Sequence, residues 1–233
     1  MSQETRSVTW SIGKAAQTVT LSPTSVSVQA GQSETITVAY LGDGIVSATS
    51  SDTGIATVSV SGNVVTVTGV DDGTATIEVT VSEGTNYFSG SATASAVVSD
   101  VSVVLPTQSG TLTYNKAAQS PTWNNYNASQ LTIGGTTDGT NAGTYTATFT
   151  PKTGYAWSDT GTTEARDATW VIDTMKVTLP SQSGTLTYDG TSQSPTWTPY
   201  DPDAFTVGGT TSGTNAGDYN ATFTPNPNYE WAS

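Results

Sequence analysis

The chain has 233 residues, six basic against nineteen acidic side chains, a net charge of −13, and neither cysteine nor histidine. These numbers exclude disulfides and thiolate metal sites, remove the commonest general base and transition-metal ligand, and leave too few cations for the phosphate neutralisation that drives nucleic-acid binding. No apolar run approaches the ~18 residues of a membrane span, so neither a nucleic-acid partner nor membrane insertion is expected.

Taken from the start, Glu4, Arg6, Thr9, Trp10 and Ile12 of "ETRSVTWSI" coincide without a gap with Glu164, Arg166, Thr169, Trp170 and Ile172 of "EARDATWVI". Val8, Trp10 and Ile12 alternate with polar residues, the period of a strand with one buried face. Residues 1–13 are therefore expected to be a last strand belonging to a preceding repeat or to a neighbouring molecule. The segment "MSQETRSV" has no apolar h-region, so no secretory leader is expected in it.

From residue 18 to 100 the chain is a run of short strands broken by Gly, Asp and Asn turns. Ile36, Val38 and Tyr40 share one face of a strand, and Ala75, Ile77, Val79 and Val81 share one face of another. Val and Thr are stiff at χ1 and pack well on a pleated surface. No helical stripe competes with these alternations, so the class is all-β.

Beyond residue 100 the chain repeats itself with a period of 74 residues, Leu105 returning as Leu179. "LPTQSGTLTYNKAAQSPTWNNY" recurs as "LPSQSGTLTYDGTSQSPTWTPY", and "IGGTTDGTNAGTYTATFTP" as "VGGTTSGTNAGDYNATFTP". In "NAGTYTATF", Tyr145, Ala147 and Phe149 fall on one face. A Tyr two residues before the place of an immunoglobulin domain's second Cys marks a tyrosine corner, and here Ala147 and Ala221 hold the Cys place. Trp123 and Trp197 are candidates for the core Trp of each sandwich, and the glycines at 134–135, 139 and 208–209 for hairpin turns. The first unit, 101–174, ends in "ATWVID", whereas the second, 175–233, does not contain that strand.

"SPTSVSVQAGQ", "GIATVSV" and "GTATIEV" resemble the strand motifs of bacterial Ig-like domains of group 2. "SGTLTY", "TNAGTYTATFTP" and "ATWVI" are similar to MBG-type Ig-like repeats. The resemblance implies tandem Ig-like β-sandwiches arranged as an elongated rod: a group 2 domain over 18–100, an MBG-like repeat over 101–174, and a second over 175–233 lacking its last strand. It also implies a place outside the cell, on a phage virion (tail or fibre) or a bacterial cell surface. The same fold hosts many roles, so function has to come from sites.

Few sites offer themselves. The Asp71–Asp72 and Asp201/Asp203 pairs read as turn residues, whose side chains bond nearby backbone, and neither has Ca²⁺-loop spacing. No catalytic residue, metal ligand or cofactor is expected. Tyr155 and Trp157 of "GYAWSD" recur as Tyr229 and Trp231 of "NYEWAS"; these four either pack at a domain end or against the neighbouring domain, or contact surface glycans. Lys116 lies in a polar turn, and its repeat counterpart is Gly190, which argues against a shared isopeptide crosslink.

Two readings of the whole stand side by side. In one, the segment belongs to a longer array and works as a spacer or stalk whose partners are neighbouring Ig-like domains. In the other, Val8, Trp10 and Ile12 complete the last sandwich of another copy, and head-to-tail contacts build a filament. Burying those three side chains is worth about 5–8 kcal/mol, against an association cost of about 4–15 kcal/mol, so ladder hydrogen bonds would decide the balance.

Overall fold

The computed structural model describes residues 3–232. Every regular element among them is a strand. Contacts divide the chain into two compact units: residues up to Val104 together with Pro151–Thr163, and Leu105–Thr150 together with Glu164 onward.

The first unit contains β1 (Thr20–Ser22), β2 (Ser25–Gln29), β3 (Ser33–Ala39), β4 (Val46–Ser50), β5 (Ala56–Ser61), β6 (Val64–Gly69), β7 (Gly73–Val81) and β8 (Gly90–Ser99). They form two four-stranded sheets, ordered β1-β3-β6-β5 and β2-β8-β7-β4. The chain changes sheet between β1 and β2 at Pro23, which has no N–H to give to a ladder. Strict alternation along β3, β6, β7 and β8 turns Ile36, Val38, Val65, Val67, Ala75, Ile77, Val79, Val81, Ala96 and Val98 into one core. The inward faces expected from the sequence at Ala75–Val81 and Ile36–Val38 are those that pack, with Tyr40 at the margin of the same cluster. Each fully buried Val or Ile contributes about 1.5–3 kcal/mol. The last strand, β8, lies between β2, to which it is parallel, and β7, to which it is antiparallel.

The first unit also holds β9 (Val101–Val103) and β15 (Tyr155–Trp157), paired in parallel. Gly154, which leads into β15, donates its N–H to Asp71 Oδ1 at 3.1 Å and accepts the Val101 N–H at 2.9 Å. Its φ is +83°, and a Cβ there would lie 3.0 Å from both Ala30 Cβ and the Val70 carbonyl oxygen, so only glycine fits without strain.

The second unit contains the rest of the first repeat: β10 (Thr107–Ser109), β11 (Leu112–Thr113), β12 (Thr122–Asn124), β13 (Leu131–Gly135), β14 (Gly143–Pro151) and β16 (Arg166–Asp173). One sheet runs β11-β16-β14-β13, the other β10-β12. As β8 does in the first unit, β16 lies between a parallel neighbour (Leu112↔Ile172) and an antiparallel one (Tyr145↔Trp170, Ala147↔Ala168). The second repeat forms β17 (Met175–Val177), β18 (Ser181–Ser183), β19 (Thr196–Thr198), β20 (Phe205–Gly209), β21 (Ala221–Pro225) and β22 (Tyr229–Trp231). These strands begin 74 residues after their counterparts with one exception: β14 starts at Gly143, whereas β21 starts only at Ala221.

The two repeats are joined inside this unit by polar contacts that the turn reading of Asp201 and Asp203 did not foresee. Lys116 Nζ donates to Asp201 Oδ2 and Asp203 Oδ2, each at 2.9 Å. Asn228 Oδ1 accepts the Ala142 N–H at 2.8 Å, and Tyr114 meets Tyr229 edge-on at 5.3 Å. Lys116 itself has φ +67°, an uncommon backbone state for a side-chain-bearing residue.

Candidate functional site

Tyrosine corners form in both repeats as expected: the Tyr145 hydroxyl donates to the Asn141 carbonyl and the Tyr219 hydroxyl to the Asn215 carbonyl, each at 2.7 Å. The glycine expected to make a hairpin at 139 has another task. A Cβ on Gly139 would sit 2.5 Å from Tyr145 Cζ, and one on Gly213 2.3 Å from Tyr219 Cζ, so each glycine lets the backbone pass against a tyrosine ring. The core Trp also differs from expectation. Trp123 is half-buried, edge-on to Phe149 at 4.9 Å. Fully buried instead is Trp170 of β16, stacked on Tyr145 at 4.5 Å with its Nε1–H donating to the Thr136 carbonyl at 2.7 Å.

The four aromatics considered for glycan contact are placed unequally. Trp157 keeps 1% of its surface and Tyr229 7%, so neither has a ring face open to a sugar. Strand pairing explains this, since β15 and β22 are each held parallel to the opening strand of their repeat, β9 and β17. Tyr155 is half-buried, and Trp231 is partly exposed with one face on Phe205 at 5.4 Å.

The three residues considered for strand donation are placed in the open. Val8, Trp10 and Ile12 are 89%, 81% and 83% exposed, and residues 3–13 form no strand. Their counterparts on β16, Ala168, Trp170 and Ile172, are buried. The opening segment thus carries the residues of a core strand without a core.

An open groove in the second repeat lies where β16 lies in the first. It has a volume of about 360 Å³ and is walled by Leu186 and Tyr188 on one side, Tyr219 and Ala221 on the other, with Gln182 and Trp197 among its lining. Within the described residues β21 pairs with β20 and with no strand on its other edge. Leu186 and Tyr219 are consequently exposed, whereas β11, the counterpart of Leu186–Thr187, is a paired strand. The first repeat also shows how a strand is gripped there: Gln108 Nε2 donates to the Val171 carbonyl at 3.0 Å while its Oε1 accepts the Val171 N–H at 2.8 Å. Gln182 is the same residue in the second repeat, and its amide is turned to the Gly184 carbonyl at 3.3 Å. Sequence reading recognised the missing strand but not this amide clamp, whose only trace is the Gln shared by "PTQSG" and "PSQSG".

Electrostatics add little chemistry. The Lys116 ammonium and the Asp203 N–H hold the Asp201 carboxyl below its ordinary range, and the two carboxylates push the Lys116 amine up. Desolvation, with Asp71 beside it, pushes the Asp100 carboxyl up. Among the described residues no group of three or more His, Cys, Asp or Glu is arranged to hold a metal ion.

No curated protein matches the chain. No helix among the described residues is long and apolar enough to cross a membrane. Residues 15–92 match the family described as bacterial Ig-like domain (group 2), about a third of the chain. The sandwich continues past that match, since β8 stays paired with β2 as far as Ser99. Domains of this family are usually found on extracellular or surface proteins and are typically non-catalytic, and the match supports a structural or adhesive role for residues 15–92.

Proposed function

We propose that the chain is a non-enzymatic array of Ig-like sandwiches, a group 2 domain followed by MBG-like repeats, serving as a spacer or stalk on a phage virion, in its tail or fibre, or on a bacterial cell surface. One observation supports this reading above the others: of the four aromatics considered for ligand contact, Trp157 and Tyr229 are buried in packing and Trp231 has one face on Phe205. Glycan contact, where it occurs, falls to Trp231 and Tyr155 and is weak, because one face of Trp231 is already covered by Phe205. A glycan array probed with the labelled chain tests this. The expected result is no binding tighter than about 1 μM. Tighter, selective binding that Trp231→Ala abolishes would make the protein a lectin.

A second reading, a self-assembling subunit, is favoured by a separate observation: among the described residues β21 has an open edge where its counterpart β14 is covered by β16. Exposed edges of this kind are templates for pairing with another chain.

A further inference from the structure

We infer that the groove beside β21 is an acceptor site for residues 6–13 of a second copy of this chain, which enter it as β16 enters the first repeat. The inference rests on the self-assembly reading and names its site, partner and register. The occupied first repeat supplies the template. Transferring its pairing by 74 residues places Trp10 opposite Tyr219, Val8 opposite Ala221 and Ile12 opposite Gly217, with Ile12 also beside Leu186 in the parallel direction.

Four of the contacts that hold β16 have counterparts in the second repeat. The Tyr219 ring is already fixed by its hydroxyl bond to Asn215, as Tyr145 is by Asn141, so the surface on which Trp10 stacks is formed in advance. Thr210 lines the groove and its carbonyl takes the place of Thr136, the acceptor of the Trp170 Nε1–H. Gln182, after a rotation away from Gly184, clamps the backbone of Ser11 through both its oxygen and its nitrogen, as Gln108 clamps Val171. The Tyr188 N–H takes Gly13 as its acceptor, as the Tyr114 N–H takes Asp173. On the donor side the segment is exposed, unpaired and alternates with the right period, so it surrenders no structure on entering. The acceptor wall is formed in part, with Ala221 on β21 and the Tyr219 hydroxyl bonded to Asn215, while Gly217–Asn220 and Leu186–Thr187 become ordered as the segment enters. The contact joins two different surfaces, so each copy offers one donor segment and one groove and association proceeds head to tail.

Light-scattering mass across a concentration series tests this on the full chain, on Trp10→Asp, which removes the donor, and on Ala221→Arg, which fills the groove. The expected result is a mass that grows with concentration for the unaltered chain and stays at one chain for either variant. A mixture of the two variants then stops at two chains, because one retains a groove and the other a donor. Trp10→Asp alters an exposed segment outside any strand, so its result does not depend on whether Ala221→Arg folds. A synthetic peptide of residues 3–13 added to Trp10→Asp is expected to bind one to one. If Trp10→Asp associates as the unaltered chain does, the acceptor site is refuted while self-assembly stands. If the unaltered chain stays at one chain throughout, both fall and the spacer reading remains.

Discussion

Gly139 and Asp100 show how much single residues depend on what the fold brings against them. Because the Tyr145 ring lies 2.5 Å from where a Cβ would be, Gly139→Ala must displace a ring that is hydrogen-bonded at one end and stacked on Trp170. Overpacking of this kind costs about 1–3 kcal/mol, read as a lower midpoint in denaturant. Gly213→Ala is expected to cost less, since Tyr219 is half exposed, is held by its hydroxyl bond to Asn215 and has no stacked ring on it among the described residues. Asp100 titrates in the opposite sense from a stabilising carboxylate. Desolvation and Asp71 raise its folded pKa above the ordinary 3.8, so the folded chain holds a proton that the unfolded chain has released. Stability therefore falls as pH rises through that interval, and the deficit persists at neutral pH. Asp100→Asn keeps an oxygen for the Asp72 N–H and removes the charge. It is expected to raise the melting temperature at neutral pH, with the gain vanishing below about pH 3. An equal shift at both pH values would refute the account.

At the scale of the element, the two repeats form an internal comparison in which nearly the same sequence stands with and without its last strand. Covered by β16, the segment from Gly143 is strand throughout; uncovered, Gly217–Asn220 is not. A strand needs a partner on at least one side to satisfy its N–H and C=O groups, and β20 reaches no further than Ala221. Amide exchange is expected to be at least tenfold faster at Asp218–Asn220 than at Thr144–Thr146, and the peptide of residues 3–13 is expected to slow it. Equal protection in the two repeats would mean that the edge is covered by something else. The same comparison shows what was legible beforehand. The alternation of Ala168, Trp170 and Ile172 announced a buried face, and β16 buries it. The same alternation at Val8, Trp10 and Ile12 announced the same face, and there it is exposed, because alternation describes the strand and not whether another strand lies beside it.

Across the whole molecule, charge opposes association. Each copy carries −13, so copies repel one another at low ionic strength. The contact proposed for the groove is made by ladder hydrogen bonds and by Val8, Trp10 and Ile12, none of them charged, so salt screens the repulsion between copies more than it weakens that contact. The weight-average mass at fixed protein concentration is therefore expected to rise from about 0.02 M to about 0.3 M salt. A fall over that range would mean that ion pairs hold the copies together.

The sequence by itself determined the strand class, the inward faces of β3, β7 and β14, the period of the repeat and the tyrosine corners. All of these follow from neighbours a few residues apart or from direct self-similarity. Tertiary structure alone decided that Trp170 is fully buried while Trp123 is not, that Trp157 and Tyr229 have no face for a sugar, that Lys116 reaches Asp201 and Asp203 across the repeats, and that Gln108 grips β16 while Gln182 does not grip a strand. Each of these depends on which distant segment covers a given edge. A side chain's exposure is a property of the pair of strands that meet, and the period along one strand carries no record of its partner.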